Sequence, residues 1–131
     1  MSKGEILLVD DNPANLKLAR VLLTTEGYEV RVASDAEEAL KVLDDFEPQI
    51  ILMDVQLPGM DGLELTRRLK ADPRRRGIVI IALTAYAMKG DEEKARAAGA
   101  DGYLSKPVDT RTLPASIASY LERRSESSVT K

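Results

Sequence analysis

Four short stretches hold the side chains able to do chemistry in this 131-residue chain: Asp10-Asp11, Asp54, Thr84 and Lys106-Pro107. Each sits at, or just beyond, the end of a short apolar segment. Taken singly they are ordinary: an Asp after such a run is usually a turn residue or a helix cap, a Thr there is structural, and a Lys is solvated. Taken together they place three carboxylates, a hydroxyl and an ammonium at the ends of four different segments. Carboxylates brought together repel one another and raise one another's pKa unless a cation sits among them. The chain has no Cys and no His, which excludes disulfides, thiolate or imidazole metal sites, thiol nucleophiles and a phosphohistidine carrier. An all-oxygen donor set selects a hard ion such as Mg²⁺. A carboxylate beside such an ion, with an ammonium and a hydroxyl around it, is suited to holding a phosphoryl group in transfer.

The segments that must position these groups alternate in type. Ile6-Leu7-Leu8-Val9, Ile50-Ile51-Leu52-Met53 and Ile78-Val79-Ile80-Ile81-Ala82-Leu83 are short, unbroken and rich in β-branched residues, the pattern of strands buried on both faces of a parallel sheet. Glu29-Val30-Arg31-Val32-Ala33 alternates and suits a strand nearer an edge; Gly102-Tyr103-Leu104 supplies a short fifth. Helical stretches lie between them. Asn12-Pro13 reads as a cap followed by Pro at the first helical position, with Gly27 closing that helix. Ser34-Asp35-Ala36-Glu37 matches a capping box, and Asp61-Gly62-Leu63-Glu64 opens a third helix. A fourth runs from Lys89 to Ala98 and stops at Gly99. A fifth carries Leu113, Ile117 and Leu121 and frays into a polar tail, residues 125–131. Pro114 is comfortable only in a first turn, so this helix is expected to start late, with Leu113 near its cap, or to open in a distorted turn around Thr110. Five β-α units imply a doubly wound α/β fold with helices on both faces and ligands at the carboxyl ends of the strands.

Composition bounds the function classes. Length fits one domain, expected over residues 1–124. Net charge is −3, from 19 basic and 22 acidic residues, with no general pull toward nucleic acid or anionic membranes. The run Arg74-Arg75-Arg76 follows Asp72-Pro73 without flanking aromatics and reads as a solvated loop. No apolar run approaches the length of a membrane span, and the start of the chain lacks the apolar stretch of a signal peptide. A cytoplasmic protein is expected.

The motifs resemble, in order and spacing, those of the receiver domains of bacterial two-component response regulators. Asp10-Asp11 matches the acidic pair, Asp54 the phospho-acceptor, Thr84 the switch hydroxyl and Lys106-Pro107 the Lys-Pro motif. Met53 to Gly62 and Ala98 to Tyr103 are secondary matches, and the likeness covers residues 5 to about 122. The resemblance implies a flavodoxin-like (βα)5 fold with strand order 2-1-3-4-5. It implies that Asp54 takes a phosphoryl group from a phosphohistidine on a sensor histidine kinase or histidine phosphotransfer protein. Asp11, Asp54 and the Gln56 backbone carbonyl would ligate Mg²⁺ (Mn²⁺ standing in), with Asp10 acting through water. Lys106 would pair with the phosphoryl oxygens, alongside the Thr84 hydroxyl and the backbone N–H groups of Gln56 and Ala85. Thr84 and Tyr103 would form a switch, and a downstream protein would meet the face of the fourth helix, fifth strand and fifth helix. The Lys106–Pro107 bond is expected to be cis. Such a domain is a signalling module that catalyses only its own phosphorylation and dephosphorylation, and a monomer is expected.

Two rivals bear on this reading. A phosphatase of the haloacid-dehalogenase type also has an Asp nucleophile at a strand end, with a second Asp two positions on as general acid; here that position is Gln56, which transfers no proton in that way. A degenerate receiver used as an unphosphorylated interaction module would lack an acidic-pair residue, the acceptor or the Lys, and all are present. Gly-rich phosphate loops of kinases and GTPases are absent. The chain is expected either to stand alone or to be one part of a hybrid kinase or larger regulator.

Overall fold

The three strongest apolar runs lie side by side in the middle of the sheet. In the computed structural model, which describes residues 3–84, 90–106 and 108–129 (Asp91 and 123–129 by backbone alone), strands β1 (Glu5–Val9), β2 (Glu29–Ala33), β3 (Ile50–Asp54), β4 (Val79–Thr84) and β5 (Gly102–Ser105) alternate with helices α1 (Pro13–Thr25), α2 (Ala36–Asp45), α3 (Gly62–Ala71), α4 (Asp91–Ala97) and α5 (Leu113–Val129). All strand pairs are parallel, in the order β2-β1-β3-β4-β5. The flanked strands β1, β3 and β4 are the continuous hydrophobic ones, because helices cover both of their faces. The alternating strand β2 stands at an edge, as its half-polar pattern requires.

Strand alternation divides the core in two. Leu7, Val9, Ile51, Met53 and Ile80 face Ala39 and Leu43 of α2 and Leu65 and Leu69 of α3. Ile6, Leu8, Ile50, Leu52, Ile81 and Leu83 face Leu23 of α1 and Leu113 and Ile117 of α5. Sequence punctuation placed most helix ends. Asn12 Oδ1 accepts the N–H groups of Ala14 and Asn15, Asp61 Oδ1 accepts that of Glu64, and Gly27 and Gly99 take the left-handed backbone (φ 103° and 105°) that ends α1 and α4.

Three readings change. The cap of α2 is Asp35, one residue later than the Ser34 box: Asp35 Oδ1 accepts Glu38 N–H, and the Glu38 carboxylate reaches back to Ser34 N–H. Asp caps as well as Ser, and Glu38 stands three residues after Asp35 just as Glu37 does after Ser34, so the sequence offers both registers. The expected tail is helical through Val129: polarity alone does not stop a helix that meets no Gly or Pro. Arg75 is not solvated; its side chain is 18% exposed and pairs with Asp44 at 3.4 Å and Asp72 at 3.9 Å, while Arg74 and Arg76 are exposed. The late start of α5 is observed. A turn closed by the N–H groups of Thr112 and Leu113 on the Asp109 carbonyl precedes it, and Pro114 falls at the second helical position, where its missing N–H costs nothing.

Candidate functional site

The carboxyl ends of the strands meet along one edge, and the reactive side chains stand there: Asp10 follows β1, Asp54 ends β3, Thr84 ends β4 and Lys106 follows β5. The two-residue strand period explains which of them group together. Asp10, Asp54 and Lys106 each lie two positions beyond Leu8, Leu52 and Leu104, which all pack toward α1 and α5. Three distant residues are thereby delivered to one side of one edge.

Lys106 Nζ lies between two carboxylates, 2.8 Å from Asp54 Oδ2 and 3.1 Å from Asp10 Oδ2. Its own backbone N–H donates to the Thr84 carbonyl at 2.7 Å, tying the lysine to the end of β4. The other Asp54 oxygen, Oδ1, accepts the Gln56 N–H at 3.0 Å. Asp10 Oδ1 accepts the Asn12 N–H at 2.9 Å, and the Asn15 amide stands 3.4 Å from Asp10 Oδ2. Asp11 is exposed, and oxygens of Asp10, Asp11 and Asp54 all fall within 4.8 Å of one another.

Charge in this cluster is incompletely balanced. Asp10 and Asp54 are 5% and 3% exposed. Burial pushes the Asp54 carboxyl above the ordinary 3.8, helped by the like charge of Asp10 and opposed by the hydrogen bonds from Lys106 and Gln56. Burial also works against the Lys106 ammonium, but hydrogen bonds and attraction to Asp54 and Asp10 overcome it and hold the group above 10.5. Both partners of this ion pair rise: burial costs the Asp54 carboxylate more than one ammonium returns, while that ammonium is held by two carboxylates.

A hard divalent ion fits this deficit. Oxygen donors about 2.1 Å from one Mg²⁺ lie no more than about 4.2 Å apart, so a trio within 4.8 Å has little distance to close.

The remaining expected residues are placed as follows. Thr84 is buried, one position past Leu83, the register partner of Asp54. Tyr103 is half-buried on β5 and pairs with Ala82, as Ser105 pairs with Thr84; alternation puts Thr84 and Tyr103 on the same face of the sheet as Ile80. Ala85 and Pro107, with the expected cis bond, lie outside the described residues. The sequence reading missed Asn15 on Asp10 and took Asn12 only as a cap. The Asp-x-Asn spacing, which lets an Asp accept an N–H two residues on, was the available signal for the second.

The chain matches the response regulator receiver domain family over residues 6–118. It belongs to that family. Over 116 residues it is 45% identical to the polar-differentiation response regulator DivK of Brucella anthropi, covering 88% of this chain and 94% of that one. A CheY-like receiver domain from Methanospirillum hungatei superposes with a TM-score of 0.86 at 35% identity, covering 94% and 97% of the two chains. The receiver domain of a sensor histidine kinase from Pseudomonas aeruginosa, 38% identical with a TM-score of 0.77 over 92% and 95% of the chains, was solved with magnesium in its active-site cleft. Receiver domains are signalling domains of two-component systems rather than conventional enzymes. Among the described residues no helix is long and apolar enough to cross a membrane.

Proposed function

We propose that this receiver domain accepts a phosphoryl group on Asp54 from a phosphohistidine of a histidine kinase or phosphotransfer protein, in a Mg²⁺-dependent reaction, and that the acyl phosphate alters a protein-binding surface. The observation that carries the reading is the ammonium of Lys106 held between Asp54 and Asp10 with a third carboxylate within reach. An Asp54 carboxylate oxygen attacks phosphorus, the P–N bond to the donor imidazole breaks, and the freed nitrogen keeps the electron pair and takes up a proton. Asp10, Asp11, Asp54 and the Gln56 carbonyl would hold the ion, directly or through water, and the ion supplies charge neutralisation for the phosphoryl oxygens. Lys106, already aimed at Asp54, meets the same oxygens as they arrive. The Gln56 N–H, already on Asp54, and the Thr84 hydroxyl add donors for the same oxygens, as the Ala85 N–H is expected to do. Mn²⁺, also a hard ion for oxygen ligands, can take the same place.

Thr84 is the proposed sensor. Drawn toward phosphoryl oxygens, it leaves space into which Tyr103 turns, which changes the face formed by α4, β5 and α5 where a downstream protein docks. The domain works in the cytoplasm as a monomer before phosphorylation and makes no direct contact with nucleic acid. Incubation with acetyl phosphate tests the chemistry: intact mass is expected to show one added phosphate in Mg²⁺, none in EDTA and none in Asp54→Asn. Labelling that survives both controls contradicts it.

A further inference from the structure

The first turn of α3 passes directly over the backbone of Asp54, and it does so at a glycine. A methyl group built on Gly62 would fall on the Asp54 carbonyl oxygen and lie 2.9 Å from both the Asp54 carbonyl carbon and Val55 Cα. These are backbone atoms, which cannot turn aside as a flexible side chain would. Gly62 is not needed for its backbone freedom, because it is not among the positive-φ glycines; a helix otherwise favours almost any residue over glycine. What the position demands is the empty space.

One contact fixes this approach, and a second, within α3, braces the turn that makes it. Gly62 N–H donates to the Val55 carbonyl at 3.1 Å. The Gly62 carbonyl accepts the hydroxyl of Thr66 at 2.7 Å, and Thr66 is fully buried. From the other side, Val55 N–H donates to the Leu83 carbonyl at 3.0 Å. The segment 54–56 is thus held between β4 and the start of α3. That segment carries both the Asp54 carboxylate and the Gln56 N–H that donates to it.

We propose that Gly62 and Thr66 are positioning residues for the acceptor: Gly62 seats the first turn of α3 on the Asp54 backbone, Thr66 braces that turn through the Gly62 carbonyl, and together they set where the Asp54 carboxylate and the Gln56 peptide stand. This rests on the phosphoryl-acceptor reading above. A Cβ at position 62 forces the first turn of α3 and the Asp54–Val55 backbone apart until the contact opens past 3.0 Å, the approach that real Cβ atoms essentially never undercut. Misplacement of a reacting group by about 1 Å costs on the order of 10²-fold in rate.

The test uses Gly62→Ala, Thr66→Val and Thr66→Ser in the whole chain, at a temperature where circular dichroism shows each folded. Three quantities are read: amide NMR shifts of Asp54–Gln56 in the metal-free protein, Mg²⁺ affinity by titration, and the rate of phosphate uptake from acetyl phosphate. Gly62→Ala is expected to move those amide shifts, weaken Mg²⁺ binding and slow uptake by roughly 10²-fold. Thr66→Val is expected to move all three in the same direction by a smaller factor, and Thr66→Ser, which keeps the hydroxyl, to restore them. Variants that lose only melting temperature, with wild-type shifts, affinity and rate, overturn the inference; so does a Thr66→Val indistinguishable from wild type where Gly62→Ala fails to fold. A wild-type protein that neither binds Mg²⁺ nor takes phosphate overturns the acceptor reading itself, a different result from active wild type with active variants.

Discussion

Asp54 is a costly anion in the metal-free protein, since burial and the neighbouring Asp10 outweigh the help of Lys106 and Gln56. A carboxyl raised in the folded state leaves stability intact below its unfolded value of 3.8 and removes it as pH rises through the folded value. Asp54→Asn avoids that loss, so without metal it is expected to melt above wild type at pH 7, with the gap closing on acidification. A melting series from pH 4 to 7 checks this, and a variant that melts lower at pH 7 contradicts it. Lys106 has the opposite window: held above 10.5, it supports the fold through the neutral range and loses that role only in strong alkali. Lys106→Ala is expected to slow acetyl-phosphate uptake by about 10²–10³-fold, the usual cost of losing one preorganised donor to a developing charge. Asp10, Asp54 and Lys106 were legible in the sequence because each is a polar residue at the end of an apolar strand. Asn15 on Asp10 and Gly62 over Asp54 were not, because those contacts depend on how two loops turn back onto the sheet.

At the scale of elements, the strands and most helix ends followed from pattern and punctuation. Ser34 misled because two capping registers stand one residue apart, and the end of α5 because polar composition resembles a tail whether or not it is helical. Lys70 shows what single-residue reading cannot reach. Its ammonium, on α3, donates to the carbonyls of Arg76 and Ile78 and to Asp101 Oδ2 at 3.1, 2.8 and 2.7 Å, and Asp101 in turn accepts the Ile80 N–H. One side chain, 19% exposed, thus fastens the connection into β4 to the connection into β5. Lys70→Met is expected to cost roughly 1–3 kcal/mol, because it takes this donor from the partly buried Ile78 carbonyl and removes the ion pair with Asp101. Arg67→Met, which removes an exposed pair with Glu64, is expected to change stability by under about 0.5 kcal/mol. Urea titrations with unchanged slope measure both; equal losses contradict the distinction.

For the whole molecule, the parallel sheet gathers three separated stretches of sequence, around Asp10, Asp54 and Lys106, into one charged edge, and a bound cation should then stabilise the entire fold. Mass action gives about 2.7 kcal/mol at a ligand concentration one hundred times its dissociation constant. Melting temperature is expected to rise with Mg²⁺ in wild type and much less in Asp11→Asn. Coupling to the far face is read through Tyr103: its ring resonances should differ between the metal-free protein and a Mg²⁺–beryllofluoride complex, and differ less in Thr84→Ala. Identical rings in both states contradict the switch. The central claim concerns one covalent bond, between phosphorus and an oxygen of Asp54. After incubation with acetyl phosphate and Mg²⁺, borohydride reduction converts an acyl phosphate on Asp to homoserine, which peptide mass spectrometry locates. Homoserine at position 54 alone is the expected result; homoserine at another Asp, or none in a protein that has gained phosphate mass, contradicts the account.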